Sequence, residues 1–194
     1  MTRRHVLSTV NIFIHNDLEN IANYYRNLII ERHGKPNKKG ITFDCMSCLV
    51  FLAFSFEAYL NYFGLKLVAG WEEKRLERKE FNKKVNLIFD TLKISRDQEN
   101  RPNRSIYDLV KFRNTIAHGK PNVEHRNGIV ETLKHETNKT LELTAEWKTF
   151  CTQENTLMIY EDVKTVLKAM REASRIEPWE MLTSGISTSR EILS

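Results

Sequence analysis

The sequence predicts an all-α fold, a helical bundle of about five or six helices, from three observations. Apolar residues recur three and four positions apart in several long stretches, which is the spacing that gives a helix one apolar face. Glycine and proline fall between those stretches, as at Gly34, Pro36, Pro102 and Pro121. With 194 residues, 41% of them hydrophobic, the chain can bury a core, and no linker-like stretch divides it. We therefore expect a single domain over residues 1–194.

The first two helices follow from this spacing. Apolar residues repeat over 18–29, behind Asn16 or Asp17, either of which is a suitable N-cap. A longer helix from about Ile41 to Val68 is apolar on most faces and should lie at the centre of the bundle. Its most apolar stretch, Cys45–Phe56, is shorter than the roughly 20 residues that a bilayer requires. We therefore expect a buried core helix and no membrane association.

The third and fourth helices are both predicted to be amphipathic. Phe81 opens an apolar stripe that continues to Leu92 and predicts a helix ending near Lys93. Ser105, followed three residues later by Asp108, resembles a capping box and predicts the start of the fourth helix. The buried face of that helix is expected to consist of Ile106, Leu109, Phe112 and Ile116.

The last third of the chain begins with a segment that lacks helical spacing. Within it, Asn127-Gly128 predicts either a loop or a short β-hairpin near 123–131. A short helix around Trp147 is expected next, followed by a long helix whose apolar stripe runs through 160–170. Trp179 is expected to pack the C-terminal tail against the bundle.

Composition favours a cytoplasmic protein with an anionic partner. The formal charge of +5 and the pI near 9.1 suit RNA, although the 25 acidic residues make this a moderate bias. The odd number of cysteines and the lack of a secretory pattern favour a reducing interior. Cys45 and Cys48 lie inside an apolar helical run, so we expect buried free thiols, no metal site and no cofactor.

One short segment carries the main functional signal. Arg113-Asn114 and His118 lie within two turns at the end of the fourth helix. Arginine can neutralise a phosphate with a planar set of donors, and histidine can transfer protons near neutral pH. Both properties are used in phosphodiester chemistry. The alternative is structural, because Arg and His in a last turn interact favourably with the helix dipole and Gly119 is a common helix stop.

The spacing of these residues predicts a dimer. Asn114 and His118 are four positions apart and share a helix face, whereas Arg113 and His118 are five apart and diverge by about 140°. A single copy therefore converges poorly on one phosphate. Two copies related by a two-fold axis could line one cleft together, so we expect a homodimer with a composite site at that axis.

At this segment the sequence resembles the HEPN (higher eukaryotes and prokaryotes nucleotide-binding) superfamily, whose signature is Arg, a polar residue and, a few residues later, His. Here it reads RNTIAHG. The stretch 55–61 is similar to the helix that carries a buried polar residue facing the signature in many members. The resemblance spans roughly 41–175. It implies an α-helical, usually dimeric domain, with metal-independent ribonuclease activity in many members but not in all.

The resemblance also implies roles for individual residues. His118 would remove the 2′-hydroxyl proton, and the equivalent histidine across the axis would protonate the leaving 5′-oxygen, giving a 2′,3′-cyclic phosphate and a 5′-hydroxyl. Arg113 would stabilise the charge on the phosphoryl oxygens, and Asn114 would orient His118 or the phosphate. Such proteins include toxins with antitoxin partners and phage-defence effectors. Other members of the fold are non-catalytic interaction or nucleotide-binding modules.

Three further residues complete the predicted site. Glu57 interrupts an apolar helix, so we expect it to meet Arg113 or His118, the alternative being a helix rim exposed to water. Lys111 and Lys120 are candidates for RNA-backbone binding because they flank the signature. In one branch of the family a tyrosine two residues after the histidine is modified by a nucleotidyltransferase. Lys120 occupies that position here and excludes this modification.

Overall fold

A computed structural model describes residues 5–9, 12–35, 39–119, 145–182 and 188–192 of the chain. Within these ranges it contains six α-helices and two short strands, which confirms the predicted all-α class. The helices are α1 (His15–Arg32), α2 (Ile41–Leu67), α3 (Phe81–Leu92), α4 (Asn103–His118), α5 (Glu146–Phe150) and α6 (Gln153–Ser174). The strands are β1 (His5–Thr9) and β2 (Thr188–Ile192), which pair antiparallel. This pairing was not predicted, and the segment 123–131 lies outside the described residues.

Helix α2 is the centre of the bundle, as its composition predicts. It packs against α1, α3, α4 and α6 and contributes twelve buried residues to the core. By length and composition alone this helix could also span a membrane, since it is 27 residues long. The length argument made from Cys45–Phe56 was therefore wrong. The buried face of α2 and the helices packed around it instead account for its apolar character, which fits the predicted core helix.

The starts of α1 and α4 differ from their predicted caps, because the side chains of Asn16 and Ser105 bind distant groups. Helix α1 begins at His15 without a side-chain cap, and Asn16 instead hydrogen-bonds the Met181 carbonyl at 2.5 Å. The hydroxyl of Ser105 does not cap α4; it donates to Asp162 of α6 at 2.5 Å. Both contacts satisfy a buried polar group through tertiary structure rather than through the local helix end.

The segment after α6 is held by Met181 and not by Trp179. The indole of Trp179 is 64% exposed, which contradicts its predicted packing role. Met181 is buried, and its carbonyl also contacts the buried His15 ring at 2.9 Å from Nε2. The carbonyl of one residue thus ties this segment to the start of α1.

A close contact between Gly64 and Trp71 fixes the turn that follows α2. The Trp71 indole is buried directly against the Gly64 backbone, and a Cβ placed on Gly64 would lie 2.5 Å from three ring carbons. Such a distance is far below van der Waals contact. Glycine is therefore required here for space, although it weakens an isolated helix.

We predict that Gly64→Ala destabilises the fold by about 1–3 kcal/mol, the typical cost of overpacking a core. The sign of the stability change is diagnostic, because alanine in an unobstructed helix interior would stabilise the protein by about 1 kcal/mol relative to glycine. Urea unfolding followed by circular dichroism measures the difference. A variant as stable as the wild type, or more stable, would show that the indole can move aside without cost.

Candidate functional site

Helix α4 holds the signature residues in its last two turns and ends directly after them. Its apolar face, which includes the buried Ile106, Leu109 and Phe112, packs into the core as predicted. Gly119 takes a left-handed conformation with φ +50°, and its N–H bonds the Thr115 carbonyl at 3.3 Å. This C-cap ends the helix and leaves His118 exposed in the last turn.

Glu57 of α2 joins three helices through its carboxylate. One oxygen accepts a hydrogen bond from Arg113 of α4 at 2.6 Å, and the other accepts one from Lys84 of α3 at 2.5 Å. Lys84 Nζ also donates to Asn61 Oδ1 and to the Glu77 carbonyl, both at 3.3 Å. The predicted pairing of Glu57 with the signature arginine is therefore confirmed. We call Glu57, Asn61, Lys84 and Arg113 the Glu57 cluster.

The Glu57 cluster has a net charge of +1, because one carboxylate faces two cations. Lys84 is only 2% exposed, so its ammonium depends on Glu57 for compensation. Arg113 is 18% exposed, and its buried Nε has no hydrogen-bond partner among the described residues. The guanidinium also lies over the ring of Phe54, at 5.4 Å from the centroid. The guanidinium is thus held on the side of α4 that faces α2.

His118 and Asn114 line a separate open cavity of about 610 Å³ between α4 and the start of α3. Both side chains are exposed, and Lys111 completes this face of α4. The cavity also contains the carboxylate of Glu80, which pairs with Lys83 at 3.2 Å. We call this the His118 cavity. Its lining offers an imidazole, an amide and an ammonium to a ligand from solvent.

The arrangement agrees with the predicted divergence of the two charged signature residues. Asn114 and His118 share the cavity, whereas Arg113 is not among its lining residues and is directed toward Glu57. Of the two lysines predicted to bind RNA, Lys111 reaches the cavity and Lys120 lies outside the described residues. The catalytic roles of these residues stay predictions.

Sequence reasoning missed Lys84, although a signal for it was present. Lys84 lies three residues after Phe81 and four before Ile88, so it shares the apolar face of α3. A lysine at such a position requires an anion inside the protein. Glu57, an acidic residue on the apolar helix α2, was the matching signal.

The cysteines form no metal site in the described part of the chain. Cys45, Cys48 and Cys151 are buried free thiols, as predicted for the first two. Burial raises the pKa of Cys48 and that of Cys151 to about 12 each, so both remain protonated at neutral pH. The described residues contain no group of three or more His, Cys, Asp or Glu side chains suited to a metal ion.

Comparison with known proteins adds no assignment to this geometry. No family model matches the sequence, and no curated protein and no solved structure matches the chain. The function is therefore inferred from the residues and their arrangement.

We predict that Glu57→Gln destabilises the protein by about 2–4 kcal/mol. The substitution keeps the shape of the side chain but leaves the buried Lys84 ammonium without its anion. The expected cost is near that of breaking a buried ion pair, reduced because Glu57 is 26% exposed. Urea denaturation at pH 7 measures it.

A double variant, Glu57→Gln with Lys84→Met, provides the matched control. It removes the uncompensated charge, so we expect it to recover most of the lost stability. If the free energy of unfolding of Glu57→Gln lies within about 0.5 kcal/mol of the wild-type value, as for an ordinary surface substitution, the cluster does not hold the three helices together.

Proposed function

We propose that the protein is a cytoplasmic, homodimeric, metal-independent endoribonuclease of the HEPN type, acting as a toxin or phage-defence effector. The observation that carries the proposal is the position of His118. Its imidazole is exposed in an open cavity beside Asn114 and Lys111, while Arg113 is anchored by Glu57 one face away. A proton-transfer group that is accessible to a large anionic substrate is what RNA cleavage requires.

The proposed reaction uses the 2′-hydroxyl of RNA as its nucleophile. His118 removes the proton from this hydroxyl, the 2′-oxygen forms a bond to phosphorus, and the bond to the 5′-oxygen breaks. The partner subunit's His118 donates a proton to that leaving oxygen. The products are a 2′,3′-cyclic phosphate and a 5′-hydroxyl, and each proton transfer contributes typically 10² to 10⁴ in rate. Arg113 stabilises the charge that develops on the phosphoryl oxygens.

A homodimer is supported by an exposed stripe on α2. Seven residues three or four positions apart occupy one face that no other described helix covers fully, and most of them are apolar. They are Phe43, Ser47, Val50, Phe54, Ala58, Asn61 and Leu65. Phe43 is 69% exposed and Leu65 is 42% exposed. We call this face the α2 stripe; an apolar face of this kind is typical of a protein interface.

The geometry of the α2 stripe favours a two-fold axis near Phe54. Phe43 and Leu65 are each eleven residues from Phe54, so antiparallel α2 helices crossing there would bring Phe43 against the partner subunit's Leu65. Arg113 lies over the Phe54 ring and would therefore stand beside the axis. Both copies of the signature helix would then border one cleft.

We predict that Phe43→Glu converts the dimer to the 22.9 kDa monomer in analytical ultracentrifugation, because it buries a carboxylate against the partner subunit's Leu65. Adding Leu65→Lys should restore the dimer by supplying an opposite charge. Trp179→Glu, a change of another exposed aromatic residue, is the matched control and should leave the mass unchanged. A Phe43→Glu protein that stays dimeric would place the interface elsewhere.

A second candidate function is favoured by the pairing of Arg113. Its guanidinium bonds Glu57 at 2.6 Å and supports the fold, which is the arrangement expected of a structural residue. In a non-catalytic interaction module of the same fold, the signature would stabilise the bundle and the α2 stripe would bind a partner. This candidate predicts intact RNA in the presence of the pure protein.

Cleavage of total RNA in excess chelator tests the proposal. We expect the wild-type protein to produce 2′,3′-cyclic phosphate ends, and His118→Ala to lower the rate at least 10²-fold by removing both proton-transfer groups of the dimer. His33→Ala, which removes a histidine at the end of α1, should keep full activity. Intact RNA with a folded wild-type dimer would favour the interaction module.

A further inference from the structure

A second cavity adjoins the His118 cavity on the other side of α4. It has a volume of about 540 Å³ and lies between α4 and α5, within the range of about 300–1,000 Å³ typical of small-molecule sites. Its lining includes Phe112, Trp147, Phe150, Asp108, Lys111 and Asn155. The proposed reaction assigns no task to this cavity, which we call the α5 cavity.

The α5 cavity has an aromatic wall. Phe112 and Phe150 are stacked on each other, with ring centroids 4.8 Å apart and planes 19° apart. Trp147 is half-buried beside them, and the Lys148 ammonium lies 5.5 Å from its ring centroid. An accessible indole with a nearby cation is a surface on which a flat, electron-rich ring can stack.

The rim of the α5 cavity carries polar groups that can hydrogen-bond the edge of a nucleobase. The carboxylate of Asp108 pairs with Arg104 at 3.5 Å and is half exposed, so it can also accept hydrogen bonds from ring N–H or amino groups. The Asn155 amide nitrogen donates to the Phe150 carbonyl at 2.8 Å, which orients the side chain. Flat apolar surface bordered by a few hydrogen-bonding groups suits a nucleobase better than it suits a lipid tail or a peptide side chain.

The two cavities adjoin each other along α4. Lys111 and Thr115 line both of them, and the Thr115 hydroxyl donates to the Lys111 carbonyl one turn earlier at 3.0 Å. A ligand with a ring in one cavity and an anionic group in the other would therefore pass over the Lys111 ammonium. A nucleotide has these two parts.

We propose that the α5 cavity is a nucleobase subsite for the RNA substrate, in which a base stacks on Trp147 while the adjoining phosphate lies at Lys111 and His118. This inference rests on the proposed function. Beyond the proposed reaction, it requires that binding depends on a base next to the reacting phosphate. The substrate is then single-stranded at that nucleotide.

Binding of short single-stranded RNA to the His118→Ala dimer tests this, because the uncleaved ligand gives an equilibrium dissociation constant. Trp147→Ala in that background should weaken binding about 5- to 100-fold, the usual effect of losing one stacked base. Trp147→Phe should retain most of the affinity. Trp179→Ala in the same background removes an exposed indole outside this cavity and is the matched control. It should bind as tightly as His118→Ala alone, the parent of these variants.

An RNA of the same length that is abasic at every position separates stacking from charge. The parent should bind it more weakly than normal RNA, and Trp147→Ala should bind both with similar affinity. If Trp147→Ala binds normal RNA as the parent does, the subsite is wrong while the nuclease proposal stands. If neither binds RNA and the wild type cleaves none, both fail.

Photocrosslinking of the unmodified chain to RNA avoids any folding defect in the variants. We expect base adducts on the peptide that contains Trp147 and Phe150. Adducts that occur only elsewhere on the protein would overturn the assignment.

Discussion

The carboxylate of Glu57 is the constraint on which the rest of the site depends. It lies on the central helix α2 and compensates two cations from two other helices, Lys84 and Arg113, at 2.5 and 2.6 Å. An ion pair of this kind contributes little net stability compared with an apolar replacement, but removing one member is costly. The cluster therefore fixes which way α3 and α4 face α2. It also determines which signature residues remain available to a ligand.

This orientation separates the two charged residues of the signature. Arg113 is committed to the α2 side, where it covers Phe54, and His118 is exposed in the cavity beside α3. In the proposed reaction, one subunit would thus offer proton transfer at one place and charge stabilisation at another. Pairing two copies through the α2 stripe would bring the two kinds of group together, and it would cover the apolar face that the described monomer leaves open. The exposed α2 stripe and the proposed chemistry thus favour the same assembly.

Most of the helices could be predicted from the sequence because they have an apolar periodicity, as in the stripe of α3 from Phe81 to Leu92, and α2 because it is apolar on most faces. The contacts that decide the site depend on distant residues and could be predicted only in part. Glu57 was identified because a carboxylate stands out on an apolar helix, whereas its partner Lys84 was not. Ser105 was predicted to be a local cap. Its actual partner, a buried carboxylate of α6, cannot be identified from the neighbouring sequence. Pairing of β1 with β2 is likewise a contact between chain segments far apart in sequence.

The most direct test of the central claim, that two subunits share one catalytic cleft, uses a mixed dimer. Differently tagged wild-type and His118→Ala subunits can be co-expressed and purified as the heterodimer, and its RNA cleavage rate in chelator compared with that of the wild-type homodimer. A shared cleft needs one histidine as base and the other as acid, so the heterodimer should lose about 10² in rate or more. Activity at half the wild-type rate would contradict the account, because each subunit would then work alone.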